Sequence, residues 1–535
     1  METVEHPRIR PGVLEDRAYQ GAIARSARSQ NTLVVLPTGL GKTAIALRVI
    51  AETLLEQPTR SVLLLAPTRP LVFQHAASVA RTLFAPPPIV LTGAIDPERR
   101  RELLRPPQII VATPQVVAND AAHGLFPLAD LSLVVFDEAH RAVGDYPYVA
   151  LGRALAGTPA RVLAMTASPG SRIERIEEVF RHLRIEQFEF RAATDPDVRP
   201  YTHAVEVEPV RVPVPAEVQL LGRLFRTLAR QQGETLRRLG LASGPDLSRR
   251  ELLEIGRMLD RQIAQARARG EPAGGAVWQA RTAQAIAMKA SHAVELIETQ
   301  GVEALRQYLD RQEADARGRR SPAVAGFLGS EDVTEARRRL AALTLEHPKI
   351  AAAVRLVEAE IGRRPESRVI LFAQYRQTAE KLVEELGRRT DRGVRAVRFV
   401  GQSSHGPDEG LSQKEQIQLL ERFRAGELNC LVATSVGEEG LDIPSTDLVI
   451  LYEPVPDEIR TIQRRGRTGR ARAGRAVVLL AEGTGDEGMY RAAQAKERRM
   501  HEMLERVVAE RRHPGGPFVA PAKPPVQRSL TDFSG

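Results

Sequence analysis

The stretch TLVVLPTGLGKT, residues 32–43, decides the first part of the fold. Its apolar residues Leu33–Leu36 predict a short buried strand, and the residues from Ala44 to Glu52 are typical of a helix. A strand, a glycine loop, a Lys-Thr pair and a helix bind phosphate, because the glycines let backbone N–H groups surround the phosphate oxygens. The sequence therefore predicts a nucleotide site that includes Thr38, Gly39, Gly41, Lys42 and Thr43.

A second apolar strand, Leu133–Phe136, ends in two carboxylates and completes this predicted site. Carboxylates at the carboxyl end of a parallel strand face the ligand crevice. We therefore expect Asp137 to hold Mg²⁺ together with Thr43, and Glu138 to deprotonate the attacking water. Lys42 is expected to reach the β- and γ-phosphates. The cofactors predicted are ATP and Mg²⁺.

Short apolar runs alternate with longer helical stretches over residues 12–200 and again over 346–482. Strands that alternate with helices predict parallel, doubly wound sheets covered on both faces, so the expected fold class is α/β with two such lobes. The predicted strands are Thr32–Leu36, Ser61–Ala66, Gln108–Ala112, Leu133–Phe136 and Arg161–Met165 in the first region, and Val369–Phe372, Val394–Phe399, Cys430–Ala433, Leu448–Tyr452 and Ala476–Leu480 in the second.

The alternation stops between about residues 211 and 345, where apolar residues recur at helical spacing instead. Helical stretches are expected near Leu252–Ile263 and Val277–Leu309. Residues 211–345 contain 22 basic and 16 acidic residues, a net charge of +6 out of +9 for the whole chain. A solvated helical linker and an insert that grips nucleic acid both remain open, and the length and basic charge favour the insert.

Composition excludes several other classes of protein. A chain of 535 residues is too long for one core, so two or more domains are expected. Cys430 is the only cysteine, which excludes an internal disulfide and a thiolate metal site. No apolar run reaches the ~18 residues of a membrane helix, and the first residues do not read as a signal peptide. We expect an intracellular protein with no membrane partner.

Beyond the phosphate loop, the chain has three further motifs: DEAH at 137–140, MTASPG at 165–170 and QRRGRTGR at 463–470. These motifs resemble those of superfamily-two helicases. Further stretches are HPK at 347–349, LFAQYR at 371–376, FVGQ at 399–402, GLSQKEQ at 410–416, ATSVGEEGLDIP at 433–444 and YEPVP at 452–456. With them, the closer resemblance, over about residues 12–500, is to the archaeal Hef and eukaryotic FANCM helicases. It implies two RecA-like P-loop lobes with a helical insert that grips branched DNA.

The resemblance also implies roles for single residues. Gln20, Gly440 and Asp442 are expected to bind the nucleotide, and Gln463, Arg467 and Arg470 to act in hydrolysis, the two arginines by reaching the γ-phosphate from the second lobe. His140, Thr166 and Ser168 would couple the ATP site to DNA. The residues expected to contact the nucleic-acid backbone are Pro67, Thr68, Arg69, Gly93, Thr113, Gln374 and Thr434.

The expected domains are a first lobe at 1–205, the insert at 206–345, a second lobe at 346–505 and a disordered proline-rich tail at 506–535. Many archaeal relatives carry a nuclease module after the helicase, whereas we expect this chain to be a helicase without a nuclease. The tail has Gln527, Leu530 and Phe533 at the spacing of peptides that bind the sliding clamp PCNA, although Ser534 replaces the second aromatic residue. A clamp partner would favour an archaeal, nucleoid-associated protein.

Three functions are compatible with these motifs. The first is an ATP-dependent DNA helicase or translocase that acts on replication forks and Holliday-type junctions in repair and fork restart. The second is a duplex-RNA-activated ATPase of the innate-sensor and Dicer type, which shares the motifs and the position of the insert. The third is a branch-binding adaptor with a secondary ATPase. Intact Lys42, Glu138 and Arg470 favour an enzyme over the adaptor.

Overall fold

The computed structural model describes residues 2–104, 107–202, 205–318, 321–401, 410–434, 443–455, 464 and 474–511. They divide into two units, the first formed by the chain up to Thr202 together with the chain from Gln494 onward, and the second by His203–Ala493. Within the described ranges, no helix combines the length and the apolar character needed to cross a membrane.

Seven parallel strands form the sheet of the first unit. They are β1 (Thr32–Val35), β2 (Ser61–Leu65), β3 (Ile89–Leu91), β4 (Ile109–Ala112), β5 (Leu131–Asp137), β6 (Arg161–Thr166) and β7 (Gln187–Phe190). Their order in the sheet is β3-β4-β2-β5-β6-β1-β7. The helices are α1 (Ala18–Ser26), α2 (Lys42–Glu56), α3 (Arg69–Thr82), α4 (Pro97–Leu103), α5 (Pro114–Ala122), α6 (Pro147–Ala154) and α7 (Ile173–His182), with 3₁₀ turns at Leu128–Asp130, Ala139–Arg141, Leu155–Gly157 and Arg199–Tyr201.

The strands β1, β2 and β5 of this sheet are buried along their whole length, which explains why they read as continuous apolar runs. Ile45 and Val49 of α2 belong to one core cluster with Val34, Val135 and Leu163 of the sheet. This packing fixes α2 against the sheet directly after the phosphate loop. All seven strands point the same way, so their carboxyl ends form one edge, where the predicted site residues lie.

Six parallel strands among the described residues form the sheet of the second unit. They are β8 (Val205–Val212), β9 (Val369–Phe372), β10 (Ala396–Phe399), β11 (Cys430–Ala433), β12 (Leu448–Leu451) and β13 (Gly474–Ala481). Their order is β10-β11-β9-β12-β13-β8. The helices of this unit that follow the helical segment are α14 (Pro348–Arg363), α15 (Arg376–Gly387) and α16 (Gln413–Ala425), with a 3₁₀ turn at Thr390–Arg392. A further helix, α17 (Gly485–Arg511), begins in this unit and belongs to the first unit from Gln494 onward.

A helical segment lies between β8 and α14. Its helices are α8 (Ala216–Arg238), α9 (Arg249–Ala268), α10 (Gly275–Thr299), α11 (Val302–Gly318), α12 (Pro322–Leu328) and α13 (Glu331–Ala341). Phe225 and Phe327 stack in one cluster of its core, and Leu252 and Leu259 of α9 belong to another. Ser248 and Glu251 cap α9 reciprocally, each side chain bonding the other residue's backbone N–H. The α/β fold with two parallel sheets and a helical segment between them is therefore confirmed.

Some details differ from the expectations. The short strands β3 and β7 were not predicted, and β8 occupies residues that we expected at the start of the helical insert. β8 instead pairs with β13 along its whole length, so Val205–Val212 belong to the second sheet. The helix expected over Val277–Leu309 is divided at Gly301, whose φ of +93° favours glycine.

Candidate nucleotide and nucleic-acid sites

The phosphate loop connects β1 to α2 through two glycines in the left-handed region. Gly39 has φ of +83° and Gly41 has φ of +79°, and Gly41 directly precedes the first turn of α2. A side chain at either position would be strained, which explains the two glycines. The Lys42 ammonium donates a hydrogen bond to the carbonyl oxygen of Leu36 at 3.2 Å, and Thr43 follows it on the helix.

Gln20 of α1 packs directly against this loop. Its Nε2 donates to the carbonyl oxygen of Leu40 at 3.2 Å, and the neighbouring Tyr19 hydroxyl donates to the same oxygen at 2.7 Å. Gln20 is 2% exposed, and its Oε1 has no hydrogen-bond partner among the described residues. A buried acceptor without a partner is costly unless a ligand satisfies it. This geometry fits the expectation that Gln20 contacts the base of the nucleotide.

Asp137 lies at the end of β5, and its two carboxylate oxygens each accept a hydrogen bond. Oδ1 accepts from the backbone N–H of Glu138 at 3.0 Å, and Oδ2 lies 2.8 Å from Nε2 of His75. Burial by itself raises the pKa of Asp137, but the hydrogen bond from His75 and the positive charge of Lys42 outweigh it and lower the pKa. The carboxylate is therefore ionised at neutral pH, and such an oxygen donor fits Mg²⁺.

Glu138 follows Asp137 in the left-handed region, with φ of +50°. This conformation is uncommon for a residue with a side chain and is typical of functional sites. Its Oε2 is buried without a hydrogen bond from the described residues and lies 3.4 Å from Nδ1 of His140. The arrangement leaves the carboxylate oxygen available to a water molecule or a ligand.

The three predicted coupling residues lie in one chain of polar contacts. Nδ1 of His140 is 3.0 Å from Oγ1 of Thr166, and this hydroxyl is also 3.0 Å from the carbonyl oxygen of Ser168. Oγ of Ser168 lies 2.9 Å from the sulfur of Met500, in the part of α17 that belongs to the first unit. Thr166 and Ser168 are buried. The contacts connect Glu138, through His140, to the C-terminal helix.

The residues predicted to contact nucleic acid in the first unit lie at the other end of the same sheet edge. Pro67 and Thr68 follow β2, Gly93 lies beyond β3, and Thr113 follows β4. These three strands are neighbours in the sheet. Arg69 begins α3, and a Cβ added to Gly93 would be 3.6 Å from its Nη2, so these two residues are close in space.

In the second unit, Gln374 and Thr434 lie just beyond the neighbouring strands β9 and β11. The backbone N–H of Gln374 donates to Oε2 of Glu453 at 3.0 Å. The backbone N–H of Thr434 donates to the carbonyl oxygen of Phe399 at 3.1 Å. Glu453 is 2% exposed, and burial raises its pKa to about 7. The remaining predicted residues lie outside the described ranges: Gly440, Asp442, Gln463, Arg467, Arg470, Gln527, Leu530 and Phe533.

Sequence reasoning missed several residues that the structure brings to these sites. His75, Met500 and Glu453 contact predicted site residues through their side chains, and the Tyr148 hydroxyl donates to the carbonyl oxygen of Asp137 at 2.7 Å. His75 lies six residues after Arg69 on α3, and Glu453 belongs to the YEPVP stretch. Of these residues, only Glu453 could have been identified from the sequence, because it directly follows the predicted buried strand Leu448–Tyr452. The partners of His75 and Met500 are distant in sequence.

Three protein families match this chain. The DEAD/DEAH box helicase family matches residues 17–176, and the helicase conserved C-terminal domain matches residues 349–472. A family described as "ATP-dependent RNA helicase, helical bundle" matches residues 217–335. The matches cover β1 to β6 of the first sheet, β9 to β12 of the second sheet and most of the helical segment.

A solved structure, the helicase domain of Hef from Pyrococcus furiosus, is 40% identical, with a TM-score of 0.67 over 91% of this chain and 100% of that chain. A protein of Methanocaldococcus jannaschii named as an ATP-dependent RNA helicase is 39% identical over 504 residues. The Fanconi anemia group M protein of Gallus gallus is 31% identical over 545 residues. These alignments cover 94% and 93% of this chain, which spans 62% of the archaeal relative and 26% of the chicken protein.

The family follows from these likenesses together with the geometry of the nucleotide site. The whole Hef helicase domain aligns at 40% identity, and the phosphate loop and the Asp137-Glu138 pair stand at the carboxyl edge of the first sheet. The chain belongs to the Hef and FANCM family of superfamily-two, ATP-dependent helicases.

Proposed function

We propose that this chain hydrolyses ATP to move on DNA and that its preferred substrate is branched, as in replication forks and Holliday-type junctions. The main support for the proposal is that two groups of predicted site residues lie along the same edge of the first sheet. The nucleotide residues lie at the ends of β1 and β5, and the expected nucleic-acid contacts lie at the ends of β2, β3 and β4. Both ligands would therefore meet one rigid sheet, as a motor requires.

In this proposal, residues of the first unit bind the nucleotide and activate the attacking water. Lys42 and the loop N–H groups hold the phosphates, Gln20 holds the base, and Glu138 accepts a proton from the attacking water. Thr43 and Asp137 would hold Mg²⁺, which would neutralise charge on the phosphate oxygens. Glu138 suits its task because Oε2 has no competing hydrogen bond among the described residues.

The proposed contacts to DNA suit a motor that does not read sequence. Hydroxyl, N–H and guanidinium groups bind the phosphate backbone at any base sequence. Arg69, Thr68 and Thr113 supply such groups at one edge of the first sheet, and Gln374 and Thr434 at the corresponding edge of the second. The helical segment adds a net positive charge of +6 over residues 211–345, which favours binding of phosphate and makes affinity depend on salt.

The test is steady-state ATPase activity without nucleic acid and with a synthetic fork, linear duplex DNA or duplex RNA. Lys42→Ala serves as the blank, because it should lose turnover while it keeps DNA binding. We expect the fork to stimulate turnover more than the linear duplex does. Equal stimulation by fork and linear duplex would contradict the preference for branches.

A duplex-RNA-activated ATPase is the second candidate, because three of the matched names contain "RNA helicase". Stimulation by duplex RNA alone would favour it. An adaptor that binds branches with a secondary ATPase is the third candidate. It would be favoured if no nucleic acid stimulated turnover and if Lys42→Ala cells repaired DNA normally.

We also propose that the tail binds the PCNA sliding clamp through Gln527, Leu530 and Phe533. The proposal rests on the spacing of these residues, which would place Leu530 and Phe533 on one side of a 3₁₀ turn, as a plug for an apolar pocket. Phe533→Ala should abolish clamp binding in a pull-down and leave ATPase activity intact. Unchanged binding would exclude this peptide as the clamp contact.

A further inference from the structure

His75 makes a buried contact that the proposed chemistry does not use. Its Nε2 lies 2.8 Å from Oδ2 of Asp137, and the two residues are 3% and 7% exposed. Nδ1 of His75 is buried as well and has no hydrogen-bond partner among the described residues. A carboxylate oxygen only accepts hydrogen bonds, so the ring nitrogen that faces Asp137 carries a proton. His75 then donates to Asp137.

This hydrogen bond fixes the orientation of the Asp137 carboxylate. One oxygen accepts from His75 and the other from the backbone N–H of Glu138, so rotation of the carboxylate would break both bonds. The remaining lone pairs then have defined directions. Groups that hydrogen-bond a metal-binding carboxylate commonly control metal affinity, and their loss costs about 10–100-fold.

The helix that carries His75 begins at the expected nucleic-acid contacts. Thr68 directly precedes α3, and Arg69 is its first residue. His75 lies six positions after Arg69, which is about 9 Å along a helix axis. β2 and β5 are neighbours in the sheet, so α3 runs from the end of β2 toward the carboxylate at the end of β5. A helix is stiff over this length, and a shift at its first turn would move His75.

We propose that His75 is a positioning residue for Asp137 and that α3 thereby couples nucleic-acid binding at Arg69 to Mg²⁺ and nucleotide binding. The coupling rests on the proposed function, whereas the positioning of Asp137 does not. DNA that moves the first turn of α3 would shift His75 and so change how firmly the Asp137 carboxylate is oriented. By linkage, Mg²⁺ and nucleotide would change DNA affinity by the same factor.

The test is equilibrium binding of a fluorescent, non-hydrolysable ATP analogue while Mg²⁺ is varied, with and without a synthetic fork. His75→Leu keeps the volume of the ring and removes the donor. We expect it to raise the half-saturating Mg²⁺ concentration by about 10–100-fold. We also expect the ratio of analogue Kd without fork to Kd with fork to approach 1. His75→Gln, whose amide can donate from nearly the position of Nε2, should restore most of both quantities.

His182→Leu is the matched control, since His182 also lies in the first unit and its Nδ1 is 2.8 Å from the carbonyl oxygen of Ala142. It should leave both quantities as in the wild type. An unchanged Mg²⁺ response in His75→Leu, or a His75→Gln that behaves like it, would overturn the positioning role. A wild-type Kd ratio in His75→Leu would overturn the coupling. A ratio of 1 in the wild type would instead contradict the proposed function, and the Mg²⁺ response would still decide the role of His75.

Discussion

Glu138 shows how one residue combines backbone strain and chemistry. Its φ of +50° costs free energy, and so does its buried carboxylate oxygen, which no described residue hydrogen-bonds. Such costs are typical of sites where a side chain must face a ligand. Glu138→Gln keeps the shape but cannot accept a proton. We expect ATP turnover to fall by about 10²–10⁴-fold while the analogue still binds. Steady-state ATPase measurements check this, with the exposed Glu174→Gln as the control. Wild-type turnover in Glu138→Gln would exclude it as the base.

Glu453 should give the stability of the second unit a pH dependence. Burial is the main cause that raises its pKa from 4.5 to about 7, while Lys349 acts in the opposite direction. The native state therefore keeps a proton that the unfolded chain releases, so the contribution of Glu453 to stability is fully present below about pH 4.5 and is lost as pH rises through about 7. The shift corresponds to about 3 kcal/mol.

Glu453→Gln should remove most of this dependence because a glutamine does not titrate. The measurement is the Tm of wild type and variant from pH 4.5 to pH 8. Glu421→Gln is the control, since Glu421 is exposed in the same unit. Parallel Tm curves for wild type and Glu453→Gln would show that Glu453 does not carry the effect.

At the residue scale, the sequence predicted the site residues that belong to motifs. It did not predict the residues that contact them in the folded chain. Lys42, Asp137 and Glu138 lie directly after apolar strands, so the chain order places them at the sheet edge. His75 reaches Asp137 across 62 positions of sequence, and Met500 reaches Ser168 across 332. Nothing local in the sequence identifies such partners, because tertiary packing alone brings them together.

At the element scale, burial decided which strands could be predicted. The strands β2, β5, β9 and β11 are buried at every position and read as apolar runs. β8 has the sequence VEVEPVRV and lies at the end of its sheet, where β13 is the one strand among the described residues that pairs with it. Its charged residues and Pro209 argue against a central strand. The sequence pattern therefore predicted no strand at residues 205–212, and the strand forms because it pairs with β13.

The close approach of α8 to the chain that follows it predicts the effect of one glycine substitution. An alanine usually stabilises a helix by about 1 kcal/mol relative to glycine. A Cβ at Gly233, however, would lie 2.0 Å from the carbonyl oxygen of Pro245, and backbone cannot move away cheaply. Gly233→Ala should therefore lower the stability of the helical segment by about 1–3 kcal/mol.

Thermal unfolding followed by circular dichroism measures the sign of this effect. Gly362→Ala in α14 is the matched control, because a Cβ there would meet nothing within 4 Å. It should raise the Tm slightly or leave it unchanged. A stabilising Gly233→Ala would mean that helix propensity outweighs the contact with Pro245.

At the scale of the whole molecule, the helical segment and the second sheet belong to one unit, and a buried polar network joins them. Glu298 lies in the last turn of α10, and its carboxylate accepts a hydrogen bond from the backbone N–H of Gly485 at 2.9 Å. The backbone carbonyl oxygen of Glu298 lies 2.7 Å from Nε2 of His347. The Tyr375 hydroxyl donates to Glu295 one turn earlier. These hydrogen bonds connect α10 to Tyr375, which follows Gln374, and to the starts of α14 and α17.

The centre of this network is a fully buried ion pair. Nζ of Lys349 lies 2.7 Å from Oδ2 of Asp486, which also accepts from the backbone N–H of Ala481 at 3.0 Å. The two side chains are 0% and 1% exposed. Lys349→Met would leave the Asp486 carboxylate buried without its cation, which costs about 3–5 kcal/mol. Because Asp486 follows Gly485, which holds Glu298, we expect the loss to spread from the second sheet into the helical segment.

Hydrogen exchange on the whole chain can test whether these parts open together. In Lys349→Met, exchange should rise both in β13 and in the last turn of α10. Lys381→Met is the matched control, because Lys381 is partly exposed and its three ion pairs lie at the surface, where such pairs contribute little. It should leave both regions protected. If exchange in Lys349→Met rose only at the start of α14, the network would stabilise a local turn, and the insert would need another connection to move with the second lobe.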